Sequence, residues 1–504
     1  MCPPPPETPQ PQPAHAPDDR AARKARREAR RRARTEAEAL ARAETLAEAG
    51  ALAEAGASTG TWSAGATPAT LARLPPDRID PAETLGDIDA WNLRHDGGWL
   101  RFDARLEDAP RAYLRPIEGG DIIADAPGDL LALLALGGPR RAGFTRGPAR
   151  FCHNILAPAD HIGAVGREAT GTAARTNRMQ RIRHRSREAL LADALLARRH
   201  RDRRGLPLLY VRAETEATAS LDALGQGRAF ANFTIALDNL VEAAASLGRR
   251  ARVVAVAIGF GAEALGGTPE GIAQAFRDLM ARITAAMRAR TLAPPLFLVD
   301  AECGTARIHD HPAIRAMHDL ARNHGPHRLI LPAPGYIAGQ DRFGRVTDAG
   351  RTALAAMDAC AVEAHLAGEA WFCPLPLLAE RSGGQIRVTF RAMADLVIDP
   401  ADPFGAGPGA GFHIPGGALH APRIAPDDPK ALILDAGPGA DGAPRLLHAC
   451  ALPPRGDGRP ANRSAIRDGW HDEGPDGAPL HRWALPADLA IHPAPPLRVR
   501  SDAP

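Results

Sequence analysis

Aromatic residues make up only 4% of these 504 residues, and no apolar run approaches the ~20 residues needed to cross a bilayer. The first shortage weakens any case for stacking nucleic-acid bases, and the second excludes a spanning helix of the usual kind. The six cysteines, Cys2, Cys152, Cys303, Cys360, Cys373 and Cys450, include no CxxC pair. That argues against a zinc ribbon or a thioredoxin-like motif, and it reads as isolated thiols in a reducing compartment. The opening Met1-Cys-Pro-Pro-Pro-Pro-Glu7 lacks a positive start followed by an apolar core, so no signal peptide is recognised and a cytoplasmic location is the default. A net charge of +3 is small for this length, so global charge implies neither a nucleic-acid nor a membrane partner.

Alanine, arginine, glycine and proline dominate, and their distribution divides the chain. Residues 1–18 are proline-rich and expected to be disordered. Residues 19–56 read as a helical tail. Arg20, Arg23, Arg26, Arg27 and Arg30 give way to Glu36, Glu38, Glu44 and Glu48, with Leu40, Leu46 and Leu52 as a weak seam for self-association. The arginine half leaves nucleic acid open as a partner, although no aromatic side chains interleave with it. A linker at 57–76 leads to a β-rich module at 77–150, within which the leucine run 130–136 is expected to be a short helix. A basic helical connector follows at 151–204, an α/β domain at 205–376 and a C-terminal β-rich module at 377–504, read as a small sandwich around Trp470 and Trp483.

The α/β segment is the most informative. Strand-like Leu206–Val211, Arg252–Ile258, Pro295–Asp300 and Arg328–Leu331 alternate with helical periodicity, notably over Ile272–Arg288 and Ala313–Arg322. This pattern predicts a parallel sheet covered by helices on both faces. Such sheets place ligands beyond their carboxyl ends, so a site is expected just after Val211, Ile258, Asp300 and Leu331.

Three stretches then carry a resemblance. They are Val254–Leu265 with the following Thr268–Leu279, Ala313–Leu320, and Asp341-Arg-Phe-Gly-Arg-Val-Thr-Asp-Ala-Gly350. In order and apolar pattern, residues 205–370 resemble SGNH-type hydrolases, in particular the sialate O-acetylesterase-like branch. The resemblance implies a flavodoxin-like (SGNH-type) α/β fold with β-rich flanks. It also implies an esterase site with a serine loop after the first strand, an acidic turn after a middle strand and a histidine segment near the end. The residues depart from that pattern. Arg345 precedes Val346-Thr347 where the family has its histidine, and arginine stays protonated and cannot act as a base. Arg342 occupies the acid position, with Asp341 one residue earlier. Glu263 survives in the middle turn, but no Gly-Gln-Ser-Asn match follows Val211. The candidate pocket is therefore Ser220, Asn232, Glu263, Asp341 and Arg345, with no catalytic residue assigned.

The expectation that follows is a divergent SGNH-like, glycan-directed protein that binds carbohydrate without Ser-His-Asp hydrolysis. One alternative is an active carbohydrate O-acyl esterase with a relocated base, for which His309, His311, His318 and His365 are candidates. The other is a structural or interaction subunit of a larger, phage-like assembly, oligomerising through the N-terminal helix. His309-Asp-His311 near Glu302 and Cys303 lacks a defined third ligand, and Pro312 makes this a polar loop opening a helix. The Gly259-Phe-Gly-Ala-Glu-Ala264 turn lacks the later acidic residue of a dinucleotide site. No metal or cofactor is expected.

Overall fold

The computed structural model describes residues 85–107, 109–167, 170–218, 220–260, 267–305, 310–341, 344–440, 444–452 and 460–494. The expected disordered start, helical tail and linker, together with Glu263, Arg342, His309 and the strand read at Leu497–Arg500, lie outside them.

A mixed, mainly parallel sheet organises the chain. Its strands are β1 (Leu130–Gly137), β2 (Ile155–Pro158), β3 (Val165–Gly166), β4 (Met179–Arg181), β5 (Leu209–Thr215), β6 (Ala251–Gly259), β7 (Leu296–Val299) and β8 (Arg328–Ile330). They lie in the order β8-β7-β6-β1-β5-β2-β4, with β3 also pairing to β5. Every ladder is parallel except β2 with β4. Chain connections run from β1 outward to β5 on one side and from β6 through β7 to β8 on the other. The winding therefore reverses at β1.

That central strand corrects an expectation, because Leu130–Leu136 is not a helix. Its even-numbered residues, Leu130, Ala132, Leu134 and Leu136, join one apolar core, and Leu133 and Ala135 join another on the opposite face. Burial of both faces produces a continuous apolar run with no visible alternation. Each fully buried leucine contributes about 1.5–3 kcal/mol of transfer free energy, enough to override the helix propensity of leucine and alanine.

Among the described residues six helices cover the sheet: α1 (Arg187–Arg201), α2 (Leu221–Leu224), α3 (Arg228–Ser246), α4 (Pro269–Arg288), α5 (Pro312–Leu320) and α6 (Asp348–Ala367). Phe233, Leu237, Phe276 and Met280 from α3 and α4 pack on the face carrying Leu134. Leu191 and Leu195 of α1 meet Ala355 and Ala359 of α6 on the other. The basic stretch 175–204 is thus helical only from Arg187, where Ser186 caps α1 by accepting from the Ala189 amide at 3.3 Å. No described helix is long and apolar enough to cross a membrane.

Before β1, Ala90–Asp96, Trp99–Ala104, Arg111–Pro116 and Ile123–Ala124 form an antiparallel sheet. Beyond Pro374 the chain builds a seven-stranded and a three-stranded sheet around Ile386, Val388, Leu432, Leu434 and Leu446. The Trp371 and Trp470 rings meet edge to face. This last part also braces the α/β unit. Tyr336 donates its hydroxyl to the Ala484 carbonyl at 2.6 Å, and Asn462 donates to the Cys303 carbonyl at 3.0 Å.

Candidate functional site

The carboxyl ends of β1 and β6 meet at Gly137 and Gly259, which are partners in the ladder. A Cβ at Gly137 would lie 2.4 Å from the Gly259 carbonyl oxygen, and one at Gly259 would lie 2.8 Å from Cδ of Arg141. Only glycine permits this approach. The chain then turns tightly through Pro139–Ala142, with the Gly138 amide donating to the Gly259 carbonyl at 3.0 Å. The turn carries Arg141 back across the strand ends.

Arg141 there joins a chain of five charges, four of them on buried residues. Its Nη2 donates to Oε1 of Glu188 at 2.6 Å, and its Nη1 to Oδ2 of Asp300 at 3.2 Å. Arg187 contacts the other oxygen of Asp300 at 2.7 Å and grips Asp358 with two bonds of 2.9 Å. Arg187 and Glu188 are placed by the first turn of α1, Asp300 follows β7, and Asp358 projects from the middle of α6. Two guanidinium groups thus serve three carboxylates, leaving one negative charge in excess. Burial disfavours ionised Asp300, but Arg187 and then Arg141 outweigh it and hold this carboxyl below its ordinary range. At Asp358 burial wins over Arg187, and the neighbouring Asp300 adds to it, so that carboxyl is raised.

Asp300 is the member of the chain that reaches open space, its side chain being 36% exposed. It lines a cavity of about 100 Å³ shared by Arg140, Arg141, Phe260, Gln340 and Arg351. Arg351 is fixed by donating to the carbonyls of Val346 at 2.6 Å and Phe144 at 3.0 Å. Arg140 is exposed at the mouth and forms no ion pair with a described residue. Gln340 donates to the Gly304 carbonyl at 3.2 Å, while its buried Oε1 has no hydrogen-bond partner among the described residues. Cys303 also lines the cavity, but its thiol donates to the Ala301 carbonyl at 3.3 Å. Burial, then the Glu302 carboxylate, push that thiol up, away from the nucleophilic thiolate. The described lining residues include neither serine nor histidine.

The residues singled out from sequence are dispersed. Ser220 caps α2, its Oγ accepting from the Ala223 amide at 3.1 Å. Asn232 projects from the buried side of α3, where it bonds the Ala173 amide at 2.8 Å and the Gly171 carbonyl at 2.9 Å. There it joins a buried layer in which Arg212 contacts Glu214 at 2.6 Å and Asp160 at 3.1 Å. Asp341 accepts from the Arg345 amide at 2.9 Å, in the loop whose Gln340, Gly344 and Val346 line the cavity. Of the histidines, His311 caps α5 by accepting from the Ala313 amide at 3.1 Å, and His318 is buried against the Pro376 carbonyl at 2.9 Å. His365 lies near the end of α6; none of the three lines the cavity. His448 and Ser464 do stand 2.9 Å apart, but both are fully buried in the C-terminal part.

Of the four expected positions, those after Ile258, Asp300 and Leu331 flank the cavity and the one after Val211 does not; the end of β1 completes it. The missed signal was Gly137-Gly-Pro-Arg-Arg141, a turn sequence directly after an apolar run.

No family model matches the chain, and neither does any curated protein. Among solved structures it is similar to a carbohydrate acetylesterase from Xanthomonas citri. The two are 13% identical over 76% of this chain and 85% of that one, with a TM-score of 0.44. A protein from Arabidopsis thaliana is 12% identical, over 47% of this chain and 99% of that one, with a TM-score of 0.30.

Proposed function

We propose that this chain is a divergent SGNH-like, glycan-directed protein that binds carbohydrate in the cavity at the end of β1 without Ser-His-Asp hydrolysis. The observation that carries the reading is the loop after β1. The serine loop of such an enzyme follows its first strand, and here that loop is Gly138-Pro-Arg-Arg-Ala-Gly143. With β2, β3 and β4 set aside as additions beside β5, the strands β1, β5, β6, β7 and β8, numbered along the chain, stand in the order 2-1-3-4-5 of a flavodoxin-like sheet, which supports the fold half of the reading.

The remaining groups suit recognition better than turnover. A general base works best with a pKa near the operating pH, whereas Asp300 is held low by two arginines. An ionised carboxylate fixed in this way accepts hydrogen bonds from sugar hydroxyls. Arg140 donates from the mouth, and the unsatisfied Oε1 of Gln340 offers a second acceptor.

The full-length protein is expected to release no acetate above buffer control from p-nitrophenyl acetate or O-acetylated sugars. Calorimetric titration with a panel of mono- and oligosaccharides, free and O-acetylated, is expected to give binding that Arg140→Ala and Gln340→Leu each weaken about tenfold. Turnover by the wild type would overturn the reading, as would sugar binding that neither substitution affects.

A further inference from the structure

A second constellation lies at the other end of the parallel sheet. Glu107 follows the strand Trp99–Ala104, and Cys152 and His153 occupy the turn before β2. One potential ligand atom from each lies within 4.8 Å of the others. The second polar atoms of Glu107 and His153 are already committed elsewhere, which orients the first, and the Cys152 thiol faces the Arg181 guanidinium that a bound cation would displace. Oε2 of Glu107 is held by Arg111 at 2.9 Å, while its Oε1 is buried with no hydrogen-bond partner among the described residues. Nδ1 of His153 donates to the Ile122 carbonyl at 3.1 Å, leaving Nε2 as the ligand atom. A carbonyl behind a metal-binding imidazole is the usual device for fixing its tautomer and orientation. The ring is further fixed edge to face against the fully buried Tyr113, and His153 is itself only 5% exposed.

We propose that Glu107, Cys152 and His153 bind a single zinc-class divalent cation. Thiolate, imidazole and carboxylate form a borderline-soft donor set, which suits zinc or cobalt and not calcium or magnesium. Three protein ligands leave the fourth tetrahedral position to solvent. Cys152 also lines a groove of about 760 Å³ with Asp121, Arg178, Arg181 and Arg183, which gives that position an outlet beside three cationic side chains.

Titration of the metal-free, full-length protein with Co²⁺ is expected to give one equivalent bound, with a thiolate-to-cobalt charge-transfer band that excess Zn²⁺ removes. Cys152→Ser is expected to lose that band and to weaken binding at least about tenfold, and Glu107→Gln to weaken it about tenfold while keeping the band. Wild-type protein that takes up no stoichiometric Co²⁺, or a band that survives Cys152→Ser, would overturn the site. Should Cys152→Ser fail to fold, native-state alkylation of the wild type decides. Zn²⁺ is expected to slow modification of the Cys152 peptide at least about tenfold, and an unchanged rate overturns the proposal.

Discussion

Replacing Arg187 by methionine is expected to destabilise the protein by about 3–5 kcal/mol, read from urea denaturation near neutral pH. The side chain is a hinge between two carboxylates, touching Asp300 at 2.7 Å and Asp358 at 2.9 Å, and Asp358 is only 1% exposed. Methionine fills much of the volume but leaves Asp358 buried without the cation that contacts it. The expected response is for Asp358 to take a proton, since burial already pushes its carboxyl up with Arg187 present. Adding Asp358→Asn to Arg187→Met removes the stranded charge, so the double variant is expected to recover part of the loss. A loss below about 1 kcal/mol for the single variant, or no recovery in the double, would show that the charge chain does not hold the strand ends together.

The second large effect is a pH dependence originating at His448. This imidazole is fully buried, donates from Nδ1 to the Leu485 carbonyl at 3.0 Å, and faces the Ser464 hydroxyl with Nε2 at 2.9 Å. Burial depresses its pKa from 6.5 to about 4, with the Leu485 carbonyl opposing. Between those values the unfolded chain carries a proton that the folded chain excludes, so stability is complete above pH 6.5 and falls as the pH drops toward 4. The gap corresponds to about 3 kcal/mol. Asp193 acts in the opposite sense, because burial raises its carboxyl to about 6 and stability contributed there increases on acidification. Comparing wild type with His448→Gln removes that shared contribution. The variant's stability is expected to vary with pH about 3 kcal/mol less across this interval, measured by denaturant titration at a series of pH values. Parallel curves would place the titrating group elsewhere.

How much of this was legible in the sequence depended on how local the signal was. The strands read at Arg252–Ile258 and Pro295–Asp300 appear as Ala251–Gly259 and Leu296–Val299, because short apolar runs bounded by turn residues define them locally. The helix read at Ile272–Arg288 begins at Pro269, just after the cap Thr268. Leu130–Leu136 misled because a strand buried on both faces has no period to read, and with it went the loop that positions Arg141. The charge chain was hidden for a different reason. Arg187 and Asp358 are 171 residues apart, and neither carries a local pattern that announces a partner. Ser220, by contrast, lay in a local pattern after all, that of a helix cap.

The place of β1 also bears on where this chain can be cut. The sequence read from 205 to 376 contains β5 and β6 but not the strand that joins them. A fragment with those ends would expose the inner edges of both strands, with their backbone donors and acceptors facing water along seven residues of β5 alone. Two long apolar edges of this kind pair readily with copies of themselves. The same fragment would lose Asn462 and the Ala484 carbonyl, which hold Cys303 and Tyr336 from beyond its far end. The sheet therefore has no independent existence within residues 205–376: its middle is supplied from upstream and its rim is tied down from downstream.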